Sequence, residues 1–444
     1  MIRRYMHRLS QLTVRQWSVR RQSGVAGDHK YGALWELINQ KAERGELQDV
    51  ERIFAELRTR CSNDRKTMLY NTVLKAYANR GDLQKASAWY TTMQEQSIRS
   101  NEKTLVKLME AAAKQGSADE AAYWLERQSA LFGPNLVGMN VMVDVCAKQG
   151  KLQEATAWLA RMEESQLEPD IFSYNGVLEA CAKARRPEKA ERWFSKMTDA
   201  KVQPTVRSYS SMIDAYAKSG NPREAVRWFV DMERQGTQAN VFSYSIVIDA
   251  FSKAKKPDEA AAWLLKMEGA CIRPNAISYR TVIDACARAG RPEDASQWLQ
   301  SMEAARLVPD FRAYNSIINA SAKAGRLQEA ERWLAKMANR QIRPTVASYT
   351  TVIGAHRRTR PVDTAAVEGL FRRMLADGLQ PDALVCDILE EALGADRFAA
   401  FSTELSFTLS KHSRTSHHEN VRDRVLLKLK SPTGTTSRSA ARKK

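Results

Sequence analysis

Between residues 31 and 382 the apolar positions follow two superimposed periods. The short one is helical. In the stretch 171–205, Tyr174, Val177, Leu178, Cys181 and Ala182 fall at i, i+3, i+4, i+7 and i+8, one apolar face of a first helix. Ala190, Trp193, Phe194 and Met197 mark a second helix with a face of its own. The long period is 35 residues. Trp89, Trp124, Trp158, Trp193, Trp228, Trp263, Trp298 and Trp333 stand 35 apart, once 34, and Tyr174, Tyr209, Tyr244, Tyr279, Tyr314 and Tyr349 keep the same interval. Such a period is the mark of stacked supersecondary units. The repeats run 31–66 (divergent), 67–101, 102–135, 136–170, 171–205, 206–240, 241–275, 276–310, 311–345 and 346–382, and a partial unit follows at about 383–398.

Punctuation agrees with the periodicity. Gly150, Gly220, Gly290 and Gly325 follow the first helix, and Pro187, Pro222, Pro257 and Pro292 open the second, where a missing N–H is tolerated. Pro169, Pro204, Pro274, Pro309, Pro344 and Pro381 close most repeats, because proline cannot continue a helix. Ser173, Ser208, Ser243, Ser278 and Ser348 are placed to cap first helices. No alternating strand pattern occurs. The expected fold is all-α, an α-solenoid of about ten 35-residue helical hairpins, since one hairpin cannot bury its apolar face alone. The Trp and Met columns belong to the shared core, as do Cys146, Cys181 and Cys286 at one repeat position.

Composition narrows the classes. The 444 residues carry 69 Lys+Arg against 51 Asp+Glu, net +18, with 43% hydrophobic residues, too apolar for a disordered chain. The charge sits at the ends: residues 1–30 carry +6 and 411–444 carry +8, while the 352 residues of 31–382 carry only +8. A polyanion must therefore meet placed charge rather than total charge. No stretch approaches 18 uncharged apolar residues, so no membrane span is expected. Six scattered cysteines without a CxxC pair argue against a disulfide scaffold or structural zinc, and the six histidines do not cluster with carboxylates. Walker, nucleophile-elbow and HExxH motifs are missing. His417-His418-Glu419 spells HxE, but no PCxxC follows to complete a deaminase zinc site. Neither an enzyme nor a cofactor is expected.

Three polar columns ride on the frame. The residue after the tyrosine position is Asn71, Val106, Asn140, Asn175, Ser210, Ser245, Arg280, Asn315 and Thr350; seven of these nine are Asn, Ser or Thr, poor helix-interior choices unless their polar groups are wanted. Eight residues on stand Lys114, Lys148, Lys183, Lys218, Lys253, Arg288, Lys323 and Arg358, with Asn79 the one break. The last residue of each repeat is Asn101, Asn135, Asp170, Thr205, Asn240, Asn275, Asp310, Thr345 and Asp382. Singly, each has an ordinary structural use: cations suit helix C-termini, and small polar residues suit turns and helix starts. Together they form a ladder of two polar readers and a cation every 35 residues, suited to a polymer with regular phosphates and varied base edges.

Repeats such as 171–205, IFSYNGVLEACAKARRPEKAERWFSKMTDAKVQPT, resemble pentatricopeptide repeats, the helical hairpins of organellar RNA-binding proteins. The resemblance covers about 31–398. It implies a right-handed superhelix and single-stranded RNA, an organellar transcript, read one base per repeat. By that resemblance the residue after the tyrosine and the last residue of the repeat read the base, with Arg280 and Asp310 an atypical pair. The cation column approaches phosphates, and Val137, Phe172, Phe242 and Ile277, two before the tyrosine position, wedge between bases. The family's code suggests adenine for Ser210 with Asn240 and for Ser245 with Asn275, uracil for Asn140 with Asp170, and guanine for Thr350 with Asp382. Pyrimidines suit Asn71 with Asn101, Asn175 with Thr205 and Asn315 with Thr345, while the repeats with Val106 and Arg280 are uncoded, giving Y-N-U-Y-A-A-N-Y-G from the RNA 5′ end.

The ends carry their own expectations. Residues 1–24 hold six Arg and no acid, the composition of a mitochondrial or chloroplast targeting segment, or else of a basic arm that touches RNA. Residues 383–410 serve as a partial repeat or cap, and 411–444 as a basic disordered tail. The competing class is a protein–protein scaffold of the tetratricopeptide type, usually built on 34-residue hairpins. The expected protein is a monomer acting in RNA processing, stability, splicing or translation, with a recruited processing factor as partner.

Overall fold

The computed structural model describes residues 29–59 and 61–404. The expected targeting segment and the basic tail with His417-His418-Glu419 lie outside the described residues, save for the last two positions of 1–30. Every described element is a helix, and the helices alternate strictly in role. First helices are α1 (His29–Arg44), α3 (Asn63–Arg80), α5 (Glu102–Gln115), α7 (Leu136–Gln149), α9 (Ile171–Lys183), α11 (Val206–Lys218), α13 (Val241–Lys253), α15 (Ala276–Arg288), α17 (Phe311–Lys323), α19 (Val346–His356) and α21 (Ala383–Leu393). Second helices are α2 (Leu47–Arg58), α4 (Leu83–Glu95), α6 (Ala118–Phe132), α8 (Leu152–Glu164), α10 (Pro187–Asp199), α12 (Pro222–Arg234), α14 (Pro257–Gly269), α16 (Pro292–Ala304), α18 (Leu327–Asn339), α20 (Thr364–Ala376) and α22 (Ala395–Glu404).

The described residues divide into two compact bodies, one up to Ala250 and one from Phe251. Within each, first helices pack on neighbouring first helices, and second helices such as α6 and α10 pack on their own partner and on the next first helix. Among the described residues no two second helices approach closely. The result in each body is a two-layer α-solenoid.

Small and flexible side chains make the close contacts. The alanine that starts each second-helix face is fully buried in Ala86, Ala121, Ala155, Ala190, Ala225, Ala260, Ala295 and Ala330, and a larger residue there would overpack the hairpin. One turn from the end of the second helix, Met93, Met162, Met197, Met232, Met267, Met302, Met337 and Met374 are buried as well. Their carbonyls also accept the N–H of Ile98, Leu167, Val202, Thr237, Ile272, Leu307, Ile342 and Leu379, a Schellman closure of the helix. The closure needs a left-handed residue, supplied by Gly236 and Gly378 but also by Ser97, Gln166, Lys201, Cys271, Arg306 and Gln341. In the 102–135 repeat Gln128 takes the methionine position, fully buried, and its amide donates to the Gly133 carbonyl at 3.0 Å.

Two sequence expectations change. The serines are not N-caps. The last residue of the preceding repeat is the cap, and after Asp170, Thr205 and Thr345 the serine three residues on completes a capping box. Asp170 Oδ1 accepts from Ser173 N at 3.0 Å while Asp170 N donates to Ser173 Oγ at 3.1 Å, and Thr345 with Ser348 repeats the arrangement. Helices thus begin three residues earlier than the apolar pattern suggests, because the first turn carries exposed side chains. The tryptophans are also less enclosed than expected: Trp124 and Trp333 are buried, but Trp158, Trp193 and Trp263 are half-buried on second helices. A cation one turn on lies over the ring, Arg161 on Trp158 at 5.1 Å, Lys196 on Trp193 at 4.4 Å and Lys266 on Trp263 at 4.5 Å. Cys146, Cys181 and Cys286 are buried as expected, and burial pushes the Cys181 thiol up to about 12.

Candidate nucleic-acid interface

Because the last residue of a repeat caps the next first helix, two residues 30 apart in sequence meet at the junction of successive first helices. Asn71 Nδ2 donates to Asn101 Oδ1 at 3.0 Å, and Asn140 Nδ2 to Asp170 Oδ1 at 3.0 Å. Arg280 Nη1 donates to Asp310 Oδ2 at 3.0 Å. At other junctions the serine three residues after the cap, which sequence reading assigned to capping alone, holds the residue after the tyrosine. Ser208 Oγ donates to Asn175 Oδ1 at 2.6 Å and Ser348 Oγ to Asn315 Oδ1 at 2.7 Å. Ser173 Oγ donates likewise to Asn140 Oδ1 at 2.6 Å, and Ser210 Oγ lies 3.1 Å from Ser243 Oγ.

These contacts orient the amides. Thr205 N donates to Ser208 Oγ at 3.1 Å, which leaves the serine proton for the Asn175 carbonyl. The Asn175 NH2 is then the face presented away from that bond, a donor. Asn175 and Ser210 are tightly enclosed, 4% and 3% exposed, whereas Thr205, Asn240, Asn275 and Asp382 are exposed. Ser245 and Thr350 turn back on their own helices, donating to Val241 O and Val346 O at 2.7 Å each. Val106 is buried, and Asn135 in its repeat caps α7 and donates to Glu102, so that junction holds no equivalent pair.

The apolar column is outward. Val137, Phe172, Phe242 and Ile277 each occupy the second position of a first helix and are 54–65% exposed, a cost that packing does not explain. Leu384, which the sequence pattern left out, is exposed at the second position of α21, and Met68, two before Tyr70, is exposed in the second turn of α3. Lys103, Arg207 and Arg312 interrupt the column with cations.

The cation column is held by carboxylates one turn earlier, a feature missed in sequence although the acids recur at i−4. Lys148 pairs with Asp144 at 2.7 Å, Lys183 with Glu179 at 3.0 Å, Lys218 with Asp214 at 2.6 Å and Arg288 with Asp284 at 2.7 Å. Glu179 also receives Arg207 at 3.0 Å. Its burial would raise the carboxyl, but hydrogen bonds from Lys183 and Arg207 outweigh that and hold it below the ordinary value. Lys114 instead donates to Asn79 Oδ1 at 3.0 Å, and burial lowers its ammonium. Lys253 and Lys323 are exposed at the ends of α13 and α17. Arg358 departs from the expected helical position: α19 stops at His356, so Arg358 stands in the following turn.

Matches to known families decide what this frame is. The model of the PPR repeat family matches residues 134–183, 169–218, 205–253, 241–288 and 309–358, and the PPR repeat model matches 68–98 and 277–307. The chain belongs to the pentatricopeptide repeat family. This pentatricopeptide repeat chain is similar to the crystal structure of the pentatricopeptide repeat protein PPR10 from maize, with 20% identity and a TM-score of 0.51 over 84% of this chain and 62% of that one. Against PPR10 in complex with an 18-nt psaJ RNA element, identity is 19% and the TM-score 0.56, covering 83% of this chain and 59% of that one. The chain thus spans about three fifths of the length of those relatives. No curated protein matches the sequence.

Proposed function

We propose that this pentatricopeptide repeat protein binds single-stranded RNA sequence-specifically, one base per repeat, along the junctions of its first helices. The observation that carries this is the direct pairing of the two polar columns at Asn71 with Asn101, Asn140 with Asp170 and Arg280 with Asp310, on first helices that also carry an outward apolar column and a cation column. Asn140 and Arg280 bond their partners Asp170 and Asp310, and a base edge replaces one of those contacts. Exposed Phe172 and Phe242 offer stacking area to unpaired bases, and the lysines offer charge to phosphates. PPR10, whose fold this chain shares, has been crystallised with an 18-nt RNA element.

The reading order is Y-N-U-Y-A-A-N-Y-G, with the two adenines opposite Ser210/Asn240 and Ser245/Asn275. The basic residues 1–24 suit import into a mitochondrion or chloroplast, where the bound transcript would be processed, stabilised, spliced or translated, with a processing factor recruited to it. A randomised-RNA selection with the full chain tests the reading. Enrichment of two adjacent adenines two nucleotides after a uracil is expected, and a pool without any enriched motif overturns it.

A further inference from the structure

The 276–310 repeat is the one in which both readers are charged. Arg280 and Asp310 form an ion pair at 3.0 Å, with side chains 27% and 44% exposed, so the bridge is half-buried at its junction and one edge is open. Asp310 is held in place by its cap: Oδ1 accepts from Ala313 N at 3.0 Å, while Oδ2 takes the guanidinium. Arg280 has five N–H groups and uses one of them on Oδ2. The open edge therefore shows donors on the arginine side and acceptors on the aspartate side, in a fixed order.

We propose that the Arg280–Asp310 bridge selects guanine at the seventh nucleotide of the bound RNA. This rests on the RNA-binding reading above and fills a position which that reading left uncoded. Guanine presents an acceptor, O6, followed by two donors, N1–H and N2–H. A guanidinium beside a carboxylate shows the complement, donor then acceptors, as the edge of cytosine does. Uracil matches the first two places, O4 on arginine and N3–H on the carboxylate, but then sets its O2 against the remaining carboxylate lone pairs. Adenine and cytosine place a ring nitrogen acceptor opposite the carboxylate, so both are repelled. Beside the bridge, Arg312 stands two residues after Asp310 and is exposed, where most other first helices place an apolar residue. A planar guanidinium there stacks on a wide purine better than on a pyrimidine.

The test uses the full chain and four nine-nucleotide RNAs, each with uracil third, adenine fifth and sixth and guanine ninth, differing only at nucleotide seven. Fluorescence anisotropy is expected to show the guanine RNA binding about tenfold more tightly than the adenine RNA, the size of one good bidentate contact. Asp310→Asn is expected to abolish that preference while leaving the response to changes at nucleotides five and six intact. Asn still caps a helix, and a thermal melt of the variant checks the fold. Equal binding of all four RNAs, or preference for uracil, with the paired adenines still required, overturns the guanine assignment alone. Failure of every RNA to bind, with no response to the adenines, removes the RNA-binding reading and the assignment together.

Discussion

Repeats 171–205 and 276–310 have the same frame and opposite residues after the tyrosine, Asn175 and Arg280. Their tyrosines, Tyr174 and Tyr279, are buried, their second helices open on Pro187 and Pro292 with fully buried Ala190 and Ala295, and both close on a buried methionine, Met197 and Met302. The junctions differ. Asn175 is neutral, enclosed and held by Ser208, whereas Arg280 is charged, half-exposed and held by Asp310. The frame tolerates both because each reader is satisfied by the cap region of the next helix rather than by the core. Identity at that junction can change without a change in packing, which is what a repeat that discriminates among ligands needs.

The largest test of the comparison concerns the residue after the reader. Gly176 brings α9 so close to α7 that a Cβ there would lie 2.6 Å from Val143 Cγ1, while the equivalent Thr281 fits in its helix and donates to Ile277 O. Gly176→Thr is expected to cost about 1–3 kcal/mol in urea denaturation. Thr281→Gly is expected to cost only about 0.5 kcal/mol, through helix propensity. Equal costs would mean that the two junctions are packed alike.

Next is exchange of the readers. Arg280→Asn makes an Asn/Asp pair like Asn140 with Asp170, and the account expects the seventh nucleotide to change from guanine to uracil, a swing of about tenfold in relative affinity by anisotropy. A smaller effect follows from the cations. Lys183→Ala and Arg288→Ala should each weaken all RNAs alike and make the salt dependence shallower by about one phosphate. Glu179→Gln releases Lys183 and Arg207 together and should strengthen binding a few-fold; no change would place those cations away from the phosphates. The smallest effect concerns the left-handed exits Lys201 and Arg306, with φ of 57° and 58°. Glycine at either should stabilise by about 0.5–1 kcal/mol without altering RNA preference.

Much of this was legible in the sequence. The 35-residue interval, the Pro and Gly punctuation and the i, i+3, i+4 faces specify the hairpins, because buried positions must keep their register for neighbours to stack. The polar column after the tyrosine was visible as Asn, Ser and Thr in helix interiors. What escaped were features that depend on how one helix meets the next. Ser173 and Ser208 looked like caps, but the true caps are the terminal residues of the previous repeats, and the serines reach back to hold the readers. The carboxylates at Asp144, Glu179, Asp214 and Asp284 merged with an ordinary charged surface. Leu384 was passed over because an apolar residue in a first turn does not show its exposure until the helix start is known, and Met68 because it lies in the second turn of a helix that begins earlier than the others. Arg358 followed the column in number but not in structure, since α19 ends two residues before it.

The most direct test of the central claim is an anisotropy titration of the full chain with a labelled nine-nucleotide RNA carrying the U-Y-A-A core, repeated over a range of salt and against the same RNA with both adenines replaced by uracil. Binding that weakens steeply with salt and drops by about tenfold or more on loss of the adenines is the predicted result. Binding indifferent to the adenines, or absent at low salt, would contradict the assignment of the first-helix junctions to base recognition.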